Sequence, residues 1–137
     1  MDATTRHTAL VTAMVSTPSP PGDPTANDTI FGRILRGEIP CDAVYSDGQC
    51  LAFRDVNPQA PTHVLVIPRK PLPSLAEASL ADQELLGHLL LVAGQVARQE
   101  GLMSWRTVIN SGAEAGQTVF HLHVHVIGGR PMEWPPG

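Results

Sequence analysis

The stretch Val119-Phe120-His121-Leu122-His123-Val124-His125-Val126-Ile127 constrains the fold more than any other part of the chain. Apolar residues and histidines alternate through it, and strict alternation is the period of a strand whose two faces differ. It predicts a strand over Val119–Ile127. His121, His123 and His125 then share one face, with neighbours about 7 Å apart. Phe120, Leu122, Val124 and Val126 make the other, which must be the buried one. Such a strand needs partners, and the rest of the sequence supplies them. Strands are expected over Ala43–Asp47 and Cys50–Arg54, joined by a turn at Asp47-Gly48, and over the β-branched, apolar Thr62–Ile67, stopped by Pro68. Between them Asp55–Pro61 is a loop, because Pro58 and Pro61 cannot donate ladder bonds. Trp105–Asn110 reads as a fourth strand.

Two helices complete the pattern. Asp28 or Thr29 can cap a short one through Ile30, Phe31, Ile34 and Leu35, ended by Gly37 and Pro40. A long one begins at Ser79 and runs to about Glu100, with Leu85, Leu86, Leu89, Leu90, Ala93, Val96 and Ala97 at helical spacing. Leu91 and Val92 widen its apolar stripe, so it can meet more than one surface, and Gly101 marks its end. The order of elements predicts an α+β domain with a five-stranded, mainly antiparallel sheet.

The chain has 137 residues and a formal net charge of −4, with 42% apolar residues. That suits one domain with its own core. Apart from Arg69-Lys70 the basic residues are scattered, so nucleic acid is not expected as a partner. No apolar run approaches the roughly 20 residues that cross a bilayer, and a soluble protein without a membrane partner is expected. Cys41 and Cys50 have neither the spacing of a zinc knuckle nor the number of a disulfide framework. They read as buried free thiols in a reducing compartment. Residues 1–27, rich in Ser, Thr, Ala and Pro, are expected to form a disordered tail before a domain over 28–137. A transit peptide is the alternative, opposed by Asp2, a single arginine (Arg6) and the lack of a basic amphipathic stripe.

Three imidazoles in a row on a rigid element point to chemistry. Zinc is one candidate partner, since imidazole ligates it well. Three ligands on one straight strand would span about 14 Å, far wider than the roughly 4 Å across a tetrahedral site, so all three cannot hold one ion and no metal is expected there. A nucleophilic role fits better. A neutral imidazole is available near pH 7 and can attack phosphorus, dividing one hard displacement into two easier ones. It needs a partner to fix its tautomer and a proton donor for the leaving group, which neighbours two residues away can supply. Just upstream, Gly112, Gly116, Gln117 and Thr118 can offer backbone N–H groups and a hydroxyl to phosphate oxygens. His63 can lie beside the row on an adjacent strand. His88, four residues after Glu84 in the long helix, and His7 in the tail are given no role.

His121-Leu122-His123-Val124-His125-Val126-Ile127 is similar to the His-φ-His-φ-His-φ-φ signature of the histidine triad superfamily. Asp28-Thr29-Ile30-Phe31, Ile39-Pro40, Pro58-Gln59-Ala60-Pro61-Thr62-His63, Leu86-Gly87-His88 and the ending Gly128–Gly137 resemble it too. That ending looks like the Hint branch, not the dinucleoside polyphosphate hydrolases of the fragile histidine triad branch. The resemblance spans residues 28–137. It implies a HIT-like fold and a homodimer whose two sheets join into one of ten strands. It also implies metal-free, cofactor-free hydrolysis of AMP or GMP amides, including aminoacyl-adenylates such as lysyl-AMP.

By position, His123 would be the nucleophile and His125 would protonate the leaving amine, while His63 and His121 would orient and polarise the attacking ring. Asn110, Gly116, Gln117 and Thr118 would hold phosphate and ribose, and Asp55 beside Val56 would bind the ribose hydroxyls. Phe31 and Ile30 would line the base pocket, and Trp134 would reach the partner subunit's site. A nucleotide-binding regulatory or adaptor module with little turnover is the alternative function. Thr118 stands where Ser is usual, Phe120 replaces a Tyr, and His rather than Gln at position 125 favours hydrolysis over nucleotidyl transfer. Arg54, Pro71 and Pro73 look closer to a mitochondrial Hint-like subgroup, which sets import into mitochondria beside the cytoplasmic location otherwise expected.

Overall fold

The computed structural model describes residues 28–137. The expected disordered tail and the transit-peptide alternative, both on residues 1–27, lie outside them. Helix α1 spans Ile30–Leu35, and Thr29 caps it by accepting the Gly32 N–H on Oγ1 at 3.1 Å. Strands β1 (Ala43–Ser46) and β2 (Cys50–Arg54) form the expected hairpin. The Asp47 carboxylate closes its turn, Oδ1 accepting from the Gln49 and Cys50 amides at 2.7 and 2.8 Å. Strand β3 covers Thr62–Pro68, β4 Arg106–Val108 and β5 Val124–Gly128. Every pairing is antiparallel, in the order β1-β2-β3-β5-β4.

The long helix starts later than expected. Ser79 does cap, through a capping box with Asp82, but it opens a 3₁₀ turn over Leu80–Asp82, and α2 proper runs Gln83–Gln99. Gly101, at φ +82°, ends it. No helix among the described residues is long and apolar enough to cross a membrane.

Alternation along β3 divides the core into two layers. Val64 and Val66, with Ala52, Val124 and Val126, pack on Leu89, Val92, Ala93, Val96 and Ala97 of α2. Leu65 and Ile67, with Leu51, Phe53 and Val119, pack on Ile30, Phe31 and Ile34 of α1. The sheet is thus buried on both faces. In α2, Leu90 is exposed rather than part of the buried stripe, and of the two widening residues Val92 is buried while Leu91 is 75% exposed. Cys41 and Cys50 are buried free thiols.

The largest correction concerns the histidine segment. A continuous strand over Val119–Ile127 does not form: residues 119–121 bend, and the ladder begins only at Val124. The reason lies in where the backbone bonds go. The Leu122 N–H donates to Leu72 O at 2.7 Å, on the segment after β3, instead of joining a ladder. Val119 O accepts from the Gln117 side chain at 3.0 Å, and His121 O accepts from the His123 ring at 2.8 Å. Each group is satisfied outside a sheet, so none favours pairing. Phe120, expected on the buried face, is only half-buried. The fourth strand likewise shrinks from Trp105–Asn110 to the three residues that face His125–Ile127.

Candidate functional site

The bend gives the three histidines different surroundings. His121 is buried, and its Nε2–H donates to Pro68 O at 2.7 Å. The expected common face therefore holds His123 and His125, whose ring centroids lie 5.0 Å apart, while the His121 ring is spent on the core. Burial, eased by the Pro68 bond, pushes the His121 imidazole down to about 4, so it stays neutral. His121 does orient His123, but through its main chain: its carbonyl oxygen accepts the His123 Nδ1–H at 2.8 Å. A carbonyl can only accept, so Nδ1 carries a proton, and in the neutral ring Nε2 holds the lone pair.

His125 is set in the opposite sense. The Gln59 N–H donates to His63 Nδ1 at 3.0 Å, which places the His63 proton on Nε2. That Nε2 lies 2.9 Å from His125 Nδ1 and donates to it, leaving the His125 proton on Nε2. His63 therefore orients His125 and not, as expected, the attacking ring. Asp55 Oδ2 stands 3.5 Å from His63 Nε2, and Asp55 Oδ1 accepts the Asn57 N–H at 2.8 Å. Burial lowers the His63 value, with Asp55 opposing. Burial, then the charges of His123 and His63, push His125 down to about 3. His125 is accordingly a neutral N–H donor in the free protein and not a standing imidazolium.

The remaining expected residues divide. Phe31 lies beside the nucleophile candidate, its ring edge-on to His123 at 5.0 Å. Ile30 and Phe31, expected together at the base pocket, are both buried in the α1 layer, at 0% and 1% exposure. Val56 is half-buried next to Asp55. Asn110 packs against Gly116, where a Cβ would sit 3.6 Å from Asn110 Nδ2. Thr118 is exposed. The glycine loop is closed on itself: the Gly116 and Gln117 N–H groups already donate to Ala113 O and Gly112 O. The Gln117 side chain, 2% exposed, accepts the Gly112 N–H and donates to Pro73 O and Val119 O. It clamps the loop, so the expectation that it reaches a nucleotide is corrected. Trp134 is 83% exposed near the end of the chain.

Main-chain groups of Gln59, Pro68 and His121 set the ring orientations, and none was foreseen. Only Gln59, four residues before His63 and following Pro58, carried a hint, as part of a turn. Two donor clusters are also present: Asp55, His63 and His125, and separately Asp47, Cys50 and His88, each with its ligand atoms within 4.8 Å of one another.

Residues 36–132 match the HIT domain model. A HIT-like protein of Synechocystis sp. is 63% identical over 113 residues, which is 82% of this chain and 99% of the relative. A 14 kDa zinc-binding protein of Zea mays is 54% identical over 112 residues, 80% of this chain and 88% of its own. The crystal structure of a HIT family hydrolase from Legionella pneumophila matches with a TM-score of 0.77 at 46% identity, covering 79% of this chain and 98% of that one. With the paired imidazoles and the antiparallel sheet that carries them, these matches identify the chain as a member of the HIT domain family.

Proposed function

We propose that the protein hydrolyses purine nucleoside 5′-phosphoramidates, AMP or GMP amides and aminoacyl-adenylates such as lysyl-AMP, through a nucleotidyl-histidine intermediate on His123. One observation carries the reading: two neighbouring imidazoles held in opposite tautomers, one with its lone pair and the other with its proton on Nε2. The similarity to a hydrolase from Legionella pneumophila supports hydrolysis as the reaction class.

His123 Nε2 attacks phosphorus as the P–N bond breaks, and the leaving nitrogen takes the His125 Nε2 proton, which solvent water replaces so that the ring does not remain an imidazolate. Water then attacks the phosphorus–His123 bond, its hydroxyl going to phosphorus and its remaining proton leaving to solvent by way of His125. The net change consumes one water. In this reading Thr118, Asn110 and Gly116 hold phosphate and ribose, Asp55 with Val56 meets the ribose, and Phe31, edge-on to His123, backs the nucleophile. Because β4 is an edge strand, pairing of two copies through it gives the ten-stranded dimer, with Trp134 reaching the partner's site.

The decisive experiment mixes enzyme with an adenosine phosphoramidate and traps the covalent adduct by acid quench and mass spectrometry. A nucleotidyl adduct on the peptide containing His123 is expected. His123→Ala should lose several powers of ten in kcat/KM, since the covalent route is deleted. Full turnover by that variant would end the proposal.

A further inference from the structure

Outside the two histidine relays lies a second set of chemically versatile side chains. Asp47 in the β1–β2 turn, Cys50 at the start of β2 and His88 on α2 offer a carboxylate oxygen, a sulfur and a ring nitrogen within 4.8 Å of one another. We propose that Asp47, Cys50 and His88 form a binding site for a divalent transition-metal ion, suited to zinc, with its fourth position open to water.

The donor set is the first support. Thiolate, imidazole and carboxylate are the three protein ligands that zinc takes, and their mixture disfavours magnesium or calcium, which prefer oxygen alone. Preorganisation is the second. An aspartate that only closed the turn would need Oδ1, which already accepts the Gln49 and Cys50 amides. Oδ2 is turned instead toward the cluster, where it accepts from Tyr45 Oη at 2.9 Å and meets His88 Nε2 at 2.7 Å. Arg69, the neighbouring cation, donates Nε–H to Asp47 O at 2.8 Å and Nη2–H to Ser46 Oγ at 2.7 Å, which braces the turn from outside the ligand set. Access is the third: Cys50 lies at the floor, fully buried, while Asp47 and His88 are partly open to solvent.

Loading moves protons but no electrons. The Cys50 thiol gives its proton to water, and His88 shifts its ring proton from Nε2 to Nδ1. The thiolate and the carboxylate then balance the dication, so no net charge is placed in the partly buried site. Without an ion, burial and then Asp47 push the Cys50 thiol up to about 12, and it remains a protonated core residue.

Cobalt(II) titration of the reduced, chelator-treated full-length protein tests this independently of any hydrolase activity. One equivalent should produce a thiolate-to-cobalt charge-transfer band in the near ultraviolet, which added zinc bleaches. Cys50→Ser should remove the band. His88→Gln, at a partly exposed position, should weaken cobalt binding at least about tenfold. Cys41→Ser and His125→Asn should leave the band intact, because the Asp55–His63–His125 cluster contains no sulfur. Absence of the band in the wild type, or its survival in His88→Gln with unchanged affinity, would overturn the site.

Discussion

Gln117 separates a structural role from a ligand-binding one. Its 2% exposed side chain makes three hydrogen bonds, at 2.9 Å to the Gly112 N–H, 2.7 Å to Pro73 O and 3.0 Å to Val119 O. Gln117→Ala removes all three at once. Each bond contributes about 1 kcal/mol net, and the buried Val119 carbonyl is left without that donor, so the loss should total roughly 2–4 kcal/mol. For a domain of this size that lowers Tm by on the order of 10 °C. Gln117→Glu should cost more at neutral pH despite its shape. One oxygen can still accept from Gly112, but the other replaces a donor and faces two carbonyls in a buried place. Urea unfolding of the three proteins is the assay, with an unchanged m-value showing that the native state alone is affected. A midpoint for Gln117→Ala equal to wild type, accompanied by a raised KM for an AMP amide, would refute the clamp and restore Gln117 as a nucleotide ligand.

Two further outcomes follow from backbone and burial. Gly129 has φ +95°, and a Cβ there would lie 2.9 Å from Pro61 Cβ, whereas Gly37 at φ +78° has nothing within 4 Å. Gly129→Ala should therefore cost roughly 2–4 kcal/mol and Gly37→Ala about 1–2 kcal/mol; equal costs in urea unfolding would show that the overlap with Pro61 is relieved freely. His121 and His125 are pushed from 6.5 to about 4 and about 3 in the folded protein. Below pH 6.5 the unfolded chain binds more protons than the folded one, so the stability is whole above 6.5 and drains away as pH falls toward those values. Between pH 7 and pH 5 the loss should be roughly 2 kcal/mol per ring, and a urea midpoint that does not move over that interval would contradict the burial of these rings.

Side-chain periodicity made most of the scaffold legible. The apolar spacing from Leu85 to Ala97 found α2 and the β-branched run Thr62–Ile67 found β3, whereas only the structure shows which face of that strand each helix covers. Ser79 was recognisable as a cap, but not that its turn would be 3₁₀, since both helix types open alike. His63 stood out as a possible neighbour of the histidine row, and it does touch His125, while the His121 ring turns into the core. What periodicity could not reveal are contacts made by main-chain atoms. Pro68 O, His121 O and the Gln59 N–H each fix a ring, yet a carbonyl or an amide exists at almost every residue and leaves no compositional trace. Gln117 misled for a related reason: an amide side chain beside glycines suits a ligand and a loop clamp equally, and only burial decides.

The break before Val124 is what makes the histidine pair asymmetric. In a continued strand the carbonyls lie in the plane of the sheet and the side chains stand across it. The His123 ring could not then reach the carbonyl two residues earlier. Its tautomer would be unset, and like its neighbours it would present either nitrogen to solvent. Bending the chain at residues 119–121 turns His121 O onto His123 Nδ1 while His125 remains in the ladder opposite Leu65, within reach of His63 on the same pair of strands. One ring is thereby fixed by an acceptor and the next by a donor. The Nε2 of His123 and the Nε2 proton of His125 thus come to stand side by side.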